Sequence, residues 1–429
     1  MKTPAIPYAG PAPQLLLASQ LIFNLGFYSV VPFLAVTMRE DFGLGPMAVG
    51  IVLGARTFAQ QGLFLAGGAV ADRWGPRRAM VSGCLVRVAG YLLLAGAAEF
   101  PLFLAGAVLT GIGGALFSPT LESLVGRAEE RRKAVTEGRT ALFTLLVICG
   151  ETGAVAGPLF GAVLLGGGFD TAVLTGAGVF AVMAALFWRI LPARQPCAPA
   201  ASPEHAGHVP APDLWSCLRD RRFVGFAAFF SVNLLAYNQL YFGLPVELER
   251  SGAGPGALAA VLACAAALTI TLQWPIARLM RRAGPGTALP LGFALQALGF
   301  AAVAAMTSFP PAGGFSVLPS MLLVTALSLG HMCVVPIAMG LVLDFASGRP
   351  TGAYFGLLAS CGGIAVLLGN AVLAPLYEHA ATLSPTAAAP WLFTALLAAT
   401  SAAAIRRFLP PAPRGGRIRF LPAQNHETH

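Results

Sequence analysis

Twelve stretches of about twenty apolar residues run through this chain, separated by short polar connections. That spacing constrains the fold more than any other feature, because about 20 apolar residues are what a helix needs to cross a bilayer. In lipid the backbone must satisfy its own hydrogen bonds, so such stretches are helices. They fall near 14–38, 46–71, 79–98, 101–125, 140–166, 171–191, 223–246, 256–277, 286–306, 317–342, 352–375 and 389–409, and are called spans 1 to 12 below. The division between spans 5 and 6 rests on Gly166–Asp170. Only 10% of the residues are charged, against about 25% in soluble proteins. Mean hydropathy is +0.74. The expectation is an all-α membrane protein with twelve transmembrane helices in two pseudo-symmetric six-helix bundles, its partner the lipid bilayer.

The net charge of +9 could point to nucleic acid, but its distribution argues for topology. With the N-terminus in the cytoplasm, 23 of the 27 basic residues fall on cytoplasmic segments, and Arg39 and Arg250 alone on outer ones. Excess arginine marks the cytoplasmic side. Both termini are therefore expected in the cytoplasm, with no nucleic-acid partner. Residues 192–222 are Pro- and Ala-rich and end in LRDRR, and read as a cytoplasmic linker. It divides a bundle at 1–191 from one at 223–409, with a cytoplasmic tail at 410–429. Two histidines in the linker, His205 and His208, lack further ligands, and no metal is expected. The seven cysteines show no C-x-x-C pair or metal spacing and read as small hydrophobes. The first apolar run lacks a basic lead and a small-residue cleavage site, so no cleavable signal peptide is expected.

Between spans 2 and 3 lies Gly68–Met80, GAVADRWGPRRAM. Gly75 and Pro76 stop the helix. Gly68 and Asp72 are four apart and share a face, where glycine admits a close neighbour. Asp72 can accept from a neighbouring helix N-terminus or pair with an arginine. The arginines alone would justify only a topological anchor. The pattern G-x-x-x-D-R-x-G-x-R-R, carried by Gly68, Asp72, Arg73, Gly75, Arg77 and Arg78, resembles the signature loop of the major facilitator superfamily. Arg278–Gly284, RLMRRAG, stands at the matching place in the second half without the acid. Repeated halves fit a transporter with its site between two bundles. Asp72 is expected to face the start of span 11 at Pro350 and Thr351, as part of a cytoplasmic gate. Glu122 is expected to join it by pairing with Arg73 or Arg77.

Span 5 carries Gly150, Gly153, Gly157, Pro158 and Gly161. Spacings of 3, 4 and 4 align the glycines in one stripe, suited to close packing against the alanine-rich span 8. Ordinary glycine enrichment of membrane helices is the plainer explanation. The run G-A-V-A-G-P-L-F-G also resembles the span 5 motif of proton-linked drug antiporters. LGFYSVVPF in span 1, GIVLGARTFAQQG in span 2 and GGAVADRWG after it resemble the bacterial multidrug-resistance protein H type. The resemblance implies a twelve-helix exporter. The chain departs from it at Ser19 and Gln20, where such exporters often carry an acid.

Charges inside a bilayer are functional candidates by default. Arg56, Arg87 and Glu151 sit in mid-span. Desolvation favours the neutral form of a carboxyl, so Glu151 could bind and release a proton. Arg56 or Arg87 is expected as its charge partner, with a permanent structural ion pair as the alternative. His331 is a second titratable candidate, although a lone helix histidine is more often a satisfied core residue. Asn24, Tyr28, Gln60, Gln61, Asn233, Tyr237, Asn238 and Tyr241 could line a partly apolar cavity, or serve helix packing.

No G-x-S-x-G, H-E-x-x-H or nucleotide-binding glycine loop occurs, so neither an enzyme nor a cofactor is expected. The reading is proton-coupled export (antiport) of small, partly apolar molecules across the bacterial inner membrane by a monomer. The rivals are a proton-coupled importer of a metabolite and a non-transporting membrane sensor. Fold alone excludes neither.

Overall fold

The structure is a computed structural model that describes residues 11–44, 46–133, 141–191, 216–253, 257–307, 317–347, 349–380 and 385–410. Most of the linker, the tail after 410 and both linker histidines lie outside the described residues. Among the described residues, ten helices are long and apolar enough to cross a membrane. Two further crossings are broken. Span 1 is Pro13–Tyr28 followed by Val31–Glu40, and span 2 is Pro46–Gln61 followed by Phe64–Trp74. Together they make the expected twelve.

The remaining spans are Pro76–Ala95 (3), Phe100–Lys133 (4), Leu142–Leu165 (5) and Phe169–Ile190 (6). In the second half, span 7 runs Arg221–Asn238 and resumes at Gly243–Arg250. Ala257–Ala283 (8), Pro285–Met306 (9), Leu318–Ala346 (10), Gly352–Ala380 (11) and Ala389–Ala404 (12) follow. The short helix Ser216–Arg219 at the end of the linker buries Cys217.

The halves repeat in packing. In the first, span 3 packs on spans 4 and 6, span 1 on span 5, and span 2 on span 4. In the second, span 9 packs on spans 10 and 12, span 7 on span 11, and span 8 on span 10. The turns repeat as well. Gly75 and Gly284, at φ 84° and 78°, each precede a proline that opens the next helix. That φ is open to glycine at no steric cost, and proline at the first helical position lacks an N–H that would go unpaired anyway. Prolines inside spans 4 and 10, Pro119 and Pro336, and inside spans 5 and 11, Pro158 and Pro375, also correspond.

Spans 2 and 5 of the first half face spans 11 and 8 of the second. The 2–11 contact is the tighter. A β-carbon on Gly68 would strike the Gly352 carbonyl, and one on Gly356 the Phe64 carbonyl. Small residues here let two backbones touch.

Candidate functional site

Between the halves lies a cavity of about 340 Å³. Spans 1, 2, 4 and 5 supply one wall and spans 7 and 10 the other. The first wall carries Gln20, Asn24, Tyr28, Gln61, Glu122 and Glu151; the second carries Tyr237, Asn238, Tyr241 and His331. Phe143, Leu146, Leu234, Val335 and Met339 add apolar surface. Neither carboxyl makes a hydrogen bond or ion pair with a described residue.

The cavity is closed at one end. The Asp72 carboxylate accepts from the Gly352 and Ala353 amides at 3.0 and 2.8 Å, capping the N-terminus of span 11. This is the juxtaposition expected from the sequence, and a carboxylate is favourable at that end of a helix dipole. The Arg127 guanidinium adds its field to Asp72. Ser123 bonds Thr351 at 2.6 Å, Phe143 packs on Phe355 with ring centroids 5.8 Å apart, and Arg281 reaches Thr144 at 3.5 Å. All these contacts lie at the end carrying the Gly68–Met80 turn. Phe143, on that side of the cavity, is 1% exposed, whereas Tyr241, on the other side, is 60% exposed. The cavity therefore opens away from the turn.

The second wall is a neutral network. Gln296 donates to Asn233 Oδ1 at 2.8 Å, the Asn233 amide nitrogen meets His331 Nδ1 at 3.3 Å, and Tyr237 stacks on the imidazole with centroids 4.1 Å apart. Asn233 thus stands behind His331 instead of lining the cavity. Beside it, Tyr377 donates to Gln239, Gln239 to Asn370, and Asn370 to Asn238, tying span 7 to span 11.

Four further expectations are corrected. Glu151 is not paired with Arg56 or Arg87. Arg56 donates to Gln60 at 2.7 Å and lies 4.4 Å from the Phe27 ring centroid. Arg87 donates to the Thr110 carbonyl at 3.1 Å and lies 4.2 Å from the centroid of Phe23. Rings and carbonyls hold these arginines deep among the first-half helices. Gln60 accordingly serves Arg56 and does not line the cavity.

Glu122 is not in the turn. Span 4 runs eight residues beyond the expected 125, to Lys133, and Glu122 lines the cavity while its neighbour Ser123 turns to Thr351 in the closed end. Arg77 instead stacks over Trp188 at 4.0 Å, and Arg73 and Arg78 are exposed.

The glycine stripe packs on span 1, not on span 8. β-Carbons on Gly153, Gly157 and Gly161 would strike Asn24, Tyr28 and Ser29 respectively. Asn24 also donates to the Gly150 carbonyl at 2.9 Å. The stripe therefore seats the span that presents Gln20, Asn24 and Tyr28 to the cavity.

Gln20 and the apolar lining went unassigned in the sequence reading. The signal for Gln20 was its place at the expected acid of span 1.

The sequence model described as Major Facilitator Superfamily matches residues 16–370. The chain belongs to this superfamily. It is a multi-pass membrane transporter. Among relatives of the superfamily, an uncharacterized MFS-type transporter of Mycobacterium tuberculosis is 29% identical over 403 residues, covering 92% of each chain. The multidrug resistance protein MdtH of Edwardsiella ictaluri is 32% identical over 343 residues, 80% of each chain. Solved structures share the fold. The human organic anion transporter MFSD10 (TETRAN) aligns with TM-score 0.65 at 17% identity, over 92% of this chain and 98% of that one. The Escherichia coli fucose:proton symporter FucP aligns with TM-score 0.64 at 16% identity, over 93% of this chain and 98% of that one.

Proposed function

We propose that this transporter is a proton-coupled exporter of small, partly apolar cations, working as a monomer in the bacterial inner membrane. The observation that carries the reading is the cavity with two carboxyls, Glu122 and Glu151, and no described cation beside either. A desolvated carboxyl must be neutralised by a proton or by a cation. Proton and cationic cargo then compete for one site, which is the requirement for antiport. Tyr28, Tyr237 and Tyr241 offer ring faces to a cation and apolar bodies to its hydrocarbon part. The likeness to MdtH supports a drug as cargo.

With the arginine-rich turn in the cytoplasm, the cavity faces outward here. In that state a proton taken from the acidic side onto Glu151 displaces the cargo. After the bundles rock, Glu151 loses the proton to the cytoplasm and takes up the next cation. Asp72, Gly68 and the Gly75 turn latch the cytoplasmic side, with Arg127 and Ser123 in the place first given to Glu122.

The test is uptake of ethidium by inverted membrane vesicles containing the transporter. Uptake is expected when the lumen is made acidic and is expected to stop when nigericin collapses the pH gradient. Equal uptake with and without the gradient would refute proton coupling.

A further inference from the structure

The first bundle holds two guanidiniums that the transport cycle above does not use. Arg56, in span 2, is 8% exposed and Arg87, in span 3, is 0% exposed. Arginine does not lose its proton in proteins, so both remain cations. Neither meets a carboxylate among the described residues; their polar partners are one amide oxygen and one backbone carbonyl. Three buried donors, Arg56 Nε, Arg87 Nε and Arg87 Nη1, have no hydrogen-bond partner among the described residues.

The two groups are neighbours. Both lie over the Phe27 ring, at 4.4 and 5.3 Å from its centroid. Both also approach Gln60. Arg56 donates to it, and a β-carbon on Gly114 would meet Arg87 Nη2 at 2.6 Å and Gln60 Cδ at 3.0 Å. Gly114 of span 4 thus leaves the space in which the two side chains converge, while Gly111 and Gly113 let the backbones at Arg56 and Arg87 pack close on span 4.

Aromatic faces attract a guanidinium but accept none of its in-plane N–H groups. Water would satisfy those donors and leave two like charges uncompensated in a low-dielectric interior, where charges are paired or else very costly. A negative ion answers both needs. We propose that Arg56 and Arg87 form a buried anion site inside the first bundle, which takes one small inorganic anion of the chloride class. Burial of both guanidiniums suits a small ion over a bulky one. The bound ion would hold spans 2 and 3 against span 4, apart from the cavity between the halves.

The experiment is thermal unfolding of the purified full chain in detergent, with gluconate replaced by chloride or bromide at constant ionic strength. A ligand that binds only the folded protein raises its Tm saturably, here by about 2–4 °C. Bromide is expected to act as chloride does, and to give an anomalous-scattering peak between the two guanidiniums in crystals. Arg56→Gln is expected to abolish the chloride dependence, and Arg56→Lys to keep part of it. Gly114→Ala, which pushes a methyl between Arg87 and Gln60, is expected to weaken the dependence at least tenfold in chloride concentration. Identical Tm in gluconate and chloride would overturn the site, as would a chloride dependence that survives intact in Arg56→Gln. If Arg87→Gln fails to fold, these variants still decide the matter.

Discussion

The two bundles share a packing plan yet treat buried polarity in opposite ways. The first buries or half-buries charge: Arg56 and Arg87 among rings, Glu122 and Glu151 on the cavity wall. Around the cavity the second relies on neutral groups, Gln296, Asn233 and His331 in one chain and Tyr377, Gln239, Asn370 and Asn238 in another. Charge changes sharply with protonation, whereas satisfied amides are indifferent to it. On that difference we propose that the first bundle carries proton coupling and the second positions the cargo. An ion pair of the second bundle, Arg250–Glu247 at 2.6 Å, lies at the end of span 7 away from the turn.

The comparison breaks first at Glu151. Glu151→Gln is expected to reduce pH-gradient-driven export to background while downhill exchange persists. Vesicle flux with and without a gradient reads this, and undiminished driven export would move coupling to Glu122. Next in size is Asp72→Asn. It replaces the charged acceptor of two backbone N–H bonds, each worth about 1.5–3 kcal/mol. Transport is expected to fall about tenfold or more at normal expression, measured by initial rates against quantified protein. Gly157→Ala would drive a methyl into Tyr28 Cβ, 2.5 Å away. Overpacking of this kind costs about 1–3 kcal/mol, read as a lowered Tm together with weakened cargo binding as span 1 shifts.

The second bundle should give smaller, different effects. Gln296→Leu removes the donor to Asn233 and loosens His331. A lost buried partner costs about 1–3 kcal/mol. Apparent cargo affinity is expected to drop several-fold with the pH dependence of export unchanged. A changed pH dependence would place His331 in the coupling and erase the contrast between the bundles. Ser123→Ala should be the mildest, since a neutral hydrogen bond contributes about 0.5–1.5 kcal/mol. A modest shift toward the inward-facing form, followed by cysteine accessibility on the cytoplasmic side, is the expected readout.

Twelve crossings, the two halves and the contact of Asp72 with span 11 were legible in the sequence, for local reasons. Apolar length, arginine placement and a Gly-x-x-x-Asp face are each fixed within a few turns of helix. What was not legible depended on helix ends and on which neighbour a face meets. Glu122 was assigned to the turn because the apolar run of span 4 stops near 125, whereas the helix continues through polar residues to Lys133. The glycine stripe of span 5 was matched to alanines in the other half, yet a stripe records how close a partner comes and not which one it is. Arg56, Arg87 and Glu151 were grouped because opposite charges in lipid are expected to pair. Phe23, Phe27 and Gln60 supply the arginines with another environment, which spacing along the chain does not reveal.

The central claim is that proton and cargo compete for one carboxyl-bearing cavity, and substrate-induced proton release tests it most directly. Ethidium is added to purified transporter in weakly buffered detergent, and the pH of the solution is followed. The account predicts that about one proton leaves per cation bound, that affinity rises with pH, and that Glu151→Gln releases none. Cation binding that releases no proton, with an affinity independent of pH, would contradict it.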